Sequence, residues 1–200
     1  EIWEATEGQI DSFVTGLGTG GTISGTGKYL KEKAAQAGRT VRVVGPDPYG
    51  SIYKEAHEKG EWSDPSLYRV EGIGHDFMVD TLDFSVVDEV LNVTDRDSFL
   101  MARRLARQEG ILSGGSTGTV FVGALQEARK QGPGKIVVAI VCDSGDRYIS
   151  KCFNDEWMRD MGYFGPDAHL GTIQQLLDFR QQKVAFANPD DSLKDVITRM

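Results

Sequence analysis

Two glycine-rich blocks hold the residues whose types and spacing can do chemistry. The first is Gly16-Leu17-Gly18-Thr19-Gly20-Gly21-Thr22. Glycines let the backbone turn with positive φ and bring its N–H groups close to a ligand. The helix expected to follow aims unpaired N–H groups and partial positive charge at the same point. Thr19 and Thr22 add hydroxyl donors, so the block suits a phosphate monoester. It also satisfies the dinucleotide spacing Gly16-x-Gly18-x-x-Gly21, with Asp47 lying where that fingerprint wants its acidic residue. A nicotinamide or flavin site therefore stays open at this point. A tight turn without a ligand fits less well, because so many glycines in one run are costly to order. The second block, Ser113-Gly114-Gly115-Ser116-Thr117-Gly118, lies far downstream at the expected start of another helix. A dinucleotide half-site has no standing use for it. A cofactor with a phosphate at one end and a heteroaromatic ring at the other does.

The elements that must position these blocks read as alternating strands and helices. Ile10 to Leu17 is a strand running into the glycine turn. Thr22 to Ala37 is helical, with Ile23, Tyr29, Leu30 and Ala34 apolar, and Gly38 stops it. Thr40 to Val44 is a second strand, which completes a βαβ unit. Ser51 to Lys59 is a polar helix, and Tyr68 to Glu71 is a short strand before the turn Gly72-Ile73-Gly74. Asp95 to Gln108 is an amphipathic helix expected to turn Phe99, Leu100, Leu105 and Ala106 inward and Arg103, Arg104 and Arg107 outward. Thr119 to Lys130 is the next helix. Lys135 to Cys142 is a nearly continuous apolar run, expected to be a strand buried on both faces of a parallel sheet. Asp155 to Arg159 is a short helix. The class is α/β, a parallel-rich sheet covered by helices.

Texture changes after Phe153, and a boundary is placed between about Gly162 and Gly171. Residues 1–165 are assigned to one domain and 166–200 to a linker and the beginning of another. Beyond the boundary Thr172 to Arg180 reads as a connecting helix, Val184 to Ala187 as a strand, and Asn188 to Ser192 as a turn capping a helix from Leu193. The N-terminus lacks an initiator Met and the C-terminus stops in mid-helix. Both ends suggest a piece of a longer chain.

The 200-residue chain is 40% hydrophobic and 26% charged, the texture of a globular protein. Its net charge of −8 argues against nucleic acid and anionic membranes as main partners. No run of about 18 apolar residues suggests a membrane span. Cys142 and Cys152 form no CxxC pair and nothing near them has zinc spacing, so no metal is expected. Cys142 reads as a buried small residue, and a reduced cytoplasmic compartment is the simple expectation. His57 and His169 read as surface, as do Lys28, Lys31 and Lys33.

Four blocks together, Val14 to Gly25, Glu71-Gly72-Ile73-Gly74, Ser113 to Gly118 and Cys142-Asp143-Ser144, resemble the pyridoxal-phosphate β-replacement enzymes of the tryptophan-synthase-β-like fold (fold type II). These are the cysteine synthases and cystathionine β-synthases, and the resemblance covers roughly Glu1 to Gly165. The run Asp143 to Met158 and the tail Val184 to Ile197 are similar to the second branch, the tail resembling the start of a Bateman (cystathionine-β-synthase-type) regulatory module.

The resemblance implies pyridoxal phosphate as cofactor, with Gly18, Thr19, Gly20, Gly21 and Thr22 at its phosphate and Ser116 at its pyridine nitrogen. Asp143 would lie near Ser116, and Gly72 and Gly74 would line the substrate side. A neutral serine at the ring nitrogen makes a weaker electron sink than a carboxylate would, which suits rapid β-elimination over storage of a carbanion. Ser116 can serve equally as an ordinary helix N-cap. His75 stands where relatives often have tyrosine, at the mouth of the site, where it could tune substrate choice or be a hydrogen-bonded loop residue.

The Schiff-base lysine is not identifiable: 17 residues precede Gly18 and none is lysine, so it is expected before Glu1. The reaction implied is replacement on serine or O-acetylserine by homocysteine to give cystathionine, with cysteine synthase acting on sulfide as the alternative. More distant readings are a nucleotide-sensing regulator with a relict catalytic fold and a dinucleotide oxidoreductase. The partners implied are small amino-acid substrates, a nucleotide or S-adenosylmethionine effector at the regulatory module, and a second copy in a homodimer or larger assembly.

Overall fold

The computed structural model describes residues 1–62 and 64–164, of which Glu1–Tyr163 form one compact unit. The expectations for His169, for the Thr172 helix and for the regulatory segment 166–200 lie outside the described residues.

A four-residue helix α1 (Ile2–Ala5) precedes strand β1 (Ser12–Val14). Then come α2 (Gly21–Gln36), β2 (Arg42–Pro48), α3 (Tyr53–Lys59), a 3-10 turn at Phe84–Val86, β3 (Glu89–Val93), α4 (Asp95–Gln108) and α5 (Gly115–Gln131). Strand β4 (Val137–Ala139), a 3-10 turn at Gly145–Tyr148 and α6 (Asp155–Asp160) follow. The four strands form one parallel sheet in the order β3-β2-β1-β4. Pairing of Phe13 with Val43 and Val138, and of Val14 with Val44 and Ala139, fixes the register.

Alternate residues of β1 and β2 enter two separate cores, which is why these strands are apolar without alternation. Phe13 and Val43 pack with Ile23, Leu30 and Ala34 of α2 and with Tyr53 of α3. Val14 and Val44 pack on the other face with Val120 and Ala124 of α5. The α2 stripe Ile23, Gly27, Leu30 and Ala34 keeps helical spacing along one face. Each fully buried large apolar side chain contributes about 2 kcal/mol.

Helix α5 is seated by α4. A Cβ on Gly118 would stand 1.9 Å from the Ser98 carbonyl oxygen, so only glycine permits this approach. The buried hydroxyls of Thr119 and Ser98 share a 2.7 Å hydrogen bond across the contact. This packing sets where the N-terminus of α5, and with it Ser116, comes to rest.

The α/β class and parallel sheet are as expected, but several local expectations are corrected. Tyr68 to Glu71 is not a strand; the backbone amides of Arg69 and Val70 donate to Asp95 instead of to a ladder. The strand that completes this side is β3, which the sequence reading did not mark. The apolar run after Lys135 gives only a three-residue strand whose residues are half-buried, because β4 is the edge of the sheet among the described residues. Arg103 turns inward. It is 7% exposed, donates to the Cys152 carbonyl at 2.9 Å and pairs with Asp155. Leu100 and Ala106 are half-buried, and Ala102 takes the inward position. His57 is half-buried, with Nε2 3.0 Å from the Val87 carbonyl and its ring edge-on to Phe84. Cys142 is exposed on a cavity wall, whereas Cys152 is the buried thiol.

Candidate functional site

From β1 the chain winds outward one way through β2 and β3, then returns to place β4 on the other side of β1. The carboxyl ends of β1 and β4 therefore border the point where the winding reverses, the usual crevice for ligands in an open parallel sheet. A cavity of about 350 Å³ lies there. The loop after β1 lines it with Gly18, Thr19, Gly20 and Thr22; Ser116 comes from α5, and Cys142, Asp143 and Tyr148 come from the segment after β4. Gly72 and Ile73 close a further side. Gly21 does not reach the lining; it opens α2. Gly74 and His75 line an adjoining cavity of about 770 Å³, which shares Gly18, Thr19, Gly72 and Ile73 with the first. The two glycine blocks, separated by about half the chain, are thus brought to one cavity, and Gly74 and His75 stand beside it.

Both helices that point at the cavity start without a side-chain cap. The N-cap of α2 is Gly20 and that of α5 is Gly114, and neither helix has an acidic residue in its first turn. The first amides of each helix have no intrahelical acceptor and remain for a ligand. Gly20 has φ +88, and a Cβ there would come within 2.5 Å of the Leu82 Cα, so the turn admits glycine alone. Among the described residues no lysine or arginine lines the cavity. What these residues offer an anion is the partial positive charge of the two helix starts.

At the other end, the segment after β4 is laced to α5. Ser113 bridges to Ser144, the Cys142 amide donates to Thr117 Oγ1 at 3.0 Å, and the Gly145 amide donates to the Leu112 carbonyl at 3.1 Å. This brings Asp143 to the wall that Ser116 shares. Burial and the neighbouring Asp143 carboxylate push the Tyr148 phenol well above its ordinary value. It stays protonated and donates to Asp143 Oδ2 at 2.7 Å. Asp143 Oδ1 is buried without a partner. Burial of the cavity wall pushes the Cys142 thiol up although the residue itself is exposed. Lys151 pairs with Glu71 across the rim. The sequence reading did not single out Tyr148, the Glu71–Lys151 pair or Tyr53, whose phenol donates to the Gly18 carbonyl at 2.8 Å.

Asp47, which the dinucleotide spacing nominated, is fully buried in the core and does not line the cavity. Neither of its oxygens has a well-formed hydrogen bond. Burial pushes its carboxyl up to about 7, with the Ser51 hydroxyl and the Lys54 amide and charge near enough to temper the rise. A core carboxyl of this kind is not placed to hold a ribose.

A parallel sheet with two uncapped glycine-led helices meeting at its switch point, and a neutral hydroxyl at one of them, defines a site for a phosphorylated cofactor. The chain belongs to the family of pyridoxal-phosphate dependent enzymes, whose pattern it matches over residues 1–143, and its cofactor is pyridoxal phosphate. The architecture is that of the tryptophan-synthase-β-like fold type II. The chain is 40% identical over 84% of its length to the cystathionine beta-synthase of Dictyostelium discoideum, covering 32% of that protein. It is 41% identical over 82% of its length to the mouse cystathionine beta-synthase, covering 28% of it. To the O-acetylserine dependent cystathionine beta-synthase of Bacillus subtilis it is 41% identical over 76% of its length, covering 46% of that protein. The chain thus spans less than half the length of these relatives.

The residues present fit the cofactor. The turn at Gly20 admits no Cβ and leads into an uncapped helix start, and Asp143, one of whose oxygens is buried without a partner, lines the same cavity as Ser116.

Proposed function

We propose that this chain supplies the cofactor-holding part of a β-replacement enzyme that joins homocysteine to serine or O-acetylserine, giving cystathionine. The observation that carries this reading is the meeting of two uncapped helix N-termini in one cavity, with Ser116 at the second. In this reading the amides and hydroxyls of Gly18 to Thr22 hold the phosphate, with Gly21 acting through the helix start it forms. The Ser116 hydroxyl meets the pyridine nitrogen and Asp143 stands beside it. Bound pyridoxal phosphate supplies an electron sink that labilises the bonds of an amino-acid substrate.

This chain's residues set how that sink behaves. Ser116 offers a neutral partner, which keeps the sink mild and favours prompt loss of a β-leaving group. Gly72, with open space where a Cβ would stand, leaves room for the substrate beside the ring, and Gly74, where a Cβ would meet Tyr68, lines the adjoining substrate side. His75, packed on Phe77 with ring centroids 4.5 Å apart, stands at the mouth of the adjoining cavity and shapes what enters. No lysine lines the cavity among the described residues, so the covalent attachment is assigned to a lysine outside them. We extend the reading to a homodimer or larger assembly acting in the cytoplasm, with residues 166–200 leading into an effector-binding regulatory module.

The test is turnover by the full-length protein with serine or O-acetylserine and either homocysteine or sulfide. Cystathionine formation from homocysteine supports the proposal. Rapid turnover of sulfide with none of homocysteine would replace it with a cysteine synthase.

A further inference from the structure

Three consecutive carbonyls of the phosphate loop are each held by a donor from a different part of the chain. The Gly74 amide donates to the Leu17 carbonyl at 2.5 Å. The Tyr53 phenol donates to the Gly18 carbonyl at 2.8 Å. The Thr81 hydroxyl donates to the Thr19 carbonyl. In a trans peptide unit the carbonyl and the following N–H point in opposite directions. Fixing these three carbonyls therefore turns the N–H groups of Gly18, Thr19 and Gly20 away from the donors, and these three residues line the cavity.

Glycines make the loop able to adopt this geometry, but they also leave it free to adopt others. The restraint must come from outside the loop. Tyr53 is suited to it. Its side chain is fully buried at the start of α3, wedged edge-on between His75 and Phe84 at centroid distances of 6.1 and 6.2 Å. Burial and the nearby Asp47 push its phenol up to about 12, so it remains a donor throughout the neutral range. Thr81 lies on an exposed loop and touches the cradle only through its hydroxyl among the hydrogen bonds described.

We infer that Tyr53 and Thr81 are positioning residues for the cofactor phosphate: by holding the Gly18 and Thr19 carbonyls they aim the Thr19 and Gly20 amides at it. This deepens the reading that Gly18 to Thr22 takes the phosphate, and it rests on that reading. The third donor, Gly74, belongs to the substrate-side loop, whose His75 carbonyl in turn accepts from the Ile52 amide beside Tyr53 at 3.1 Å. The cradle is thereby braced from the same helix start that braces the substrate-side loop.

The experiment titrates the cofactor-free full-length protein with pyridoxal phosphate and with pyridoxal. Ring and aldehyde are common to both probes, so the ratio of their dissociation constants isolates the phosphate. Wild type is expected to prefer the phosphorylated probe. Tyr53→Phe should reduce that preference by about tenfold and Thr81→Val by a few-fold, the effect of misaligning one charge-assisted hydrogen bond, with affinity for pyridoxal itself unchanged. A role in stability alone would lower the melting temperature and leave the ratio untouched; a wild-type ratio in both variants overturns the inference. If Tyr53→Phe does not fold, Thr81→Val decides by the same criterion. Absence of any preference in wild type would overturn the phosphate reading itself, and the inference with it.

Discussion

The two ends of the sheet treat polar groups in opposite ways. At the amino ends of the strands, polar side chains are bonded to one another, although Glu127 Oε2 is itself buried without a partner. Glu127, 1% exposed, accepts from Ser12 at 2.7 Å, from Arg42 at 2.9 Å and from Gln131 at 2.7 Å, and Arg42 reaches on to Glu89 at 2.6 Å. Ser12, Arg42 and Glu89 stand at the starts of β1, β2 and β3, so this chain of contacts ties the strands in register. At the carboxyl ends, Asp47, Asn92 Oδ1, Ser113 Oγ and Asp143 Oδ1 are buried without partners, and two helices begin uncapped. Of these only Asp143 lines the cavity, so it is the two uncapped helix starts that mark this end for a ligand. One end closes its polar side chains on one another, and the other presents two uncapped helix starts to a cavity.

The largest expected effect comes from Asp47. Its carboxyl is pushed up by burial to about 7 in the folded state, from the ordinary aspartate value near 3.8 in the unfolded chain. The folded protein keeps that proton while the unfolded chain releases it, so stability falls as pH rises from about 4 to about 7 and is flat above. Asp47→Asn should be indistinguishable from wild type near pH 4 and more stable at pH 8, by up to about 4 kcal/mol. Denaturant melts at both pH values measure this, and a pH-independent difference would remove Asp47 from the unsatisfied set.

Glu127 should behave with the opposite sign. Burial alone would raise its carboxyl, but hydrogen bonds from Gln131, Ser12 and Arg42 outweigh it and hold it below the ordinary glutamate range. Its contribution is present at neutral pH and lost as pH falls through that lowered value. Glu127→Ala should cost about 3 kcal/mol at pH 7, since it leaves Arg42 and Ser12 short of a partner. Cofactor affinity of the folded protein should not change. A variant that melts like wild type but binds cofactor poorly would erase the contrast between the two ends.

Helix α4 sharpens the comparison, because its N-terminus lies at the carboxyl end of β3 and yet is closed. Thr94 caps it by accepting from the Asp97 amide at 3.1 Å, and Asp95 and Asp97 occupy its first turn. Thr94→Ala should cost about 1 kcal/mol in thermal or denaturant melts and leave cofactor affinity intact. The smallest effect is chemical. Cys142, exposed on the cavity wall, should alkylate slowly in the cofactor-free protein and be protected by pyridoxal phosphate, while buried Cys152 stays unreactive in both. Mass spectrometry after iodoacetamide treatment reads both; equal labelling of Cys142 with and without cofactor would place the cofactor away from this wall.

The glycine blocks were legible in the sequence because their chemistry is local: glycine spacing and the helix that follows are contiguous. The α2 stripe was legible for the same reason. What was not legible depends on partners distant in the chain. Arg103 sits on the outer face by periodicity, and only the Cys152 carbonyl and Asp155, some fifty residues on, draw it inward. Cys142 ends an apolar run, but a run does not say whether its strand is central or at an edge. Asp47 has the right offset for a ribose ligand, yet β2 continues through Pro48 and carries it into the core. Tyr53 and Thr81 gave no local sign at all, since their partners in the phosphate loop are 35 and 62 residues away.

In the proposed function the uncapped starts of α2 and α5 are the two ends of one cofactor site. The most direct measurement is the amide ¹H–¹⁵N spectrum of the cofactor-free full-length protein, labelled at glycine and serine, before and after pyridoxal phosphate is added. Large shifts are expected at Gly18, Gly20 and Gly21 together with Ser116, and little change at the capped start of α4, read at Ser98. Unmoved Gly18, Gly20 and Gly21 in a protein that has bound the cofactor would contradict it.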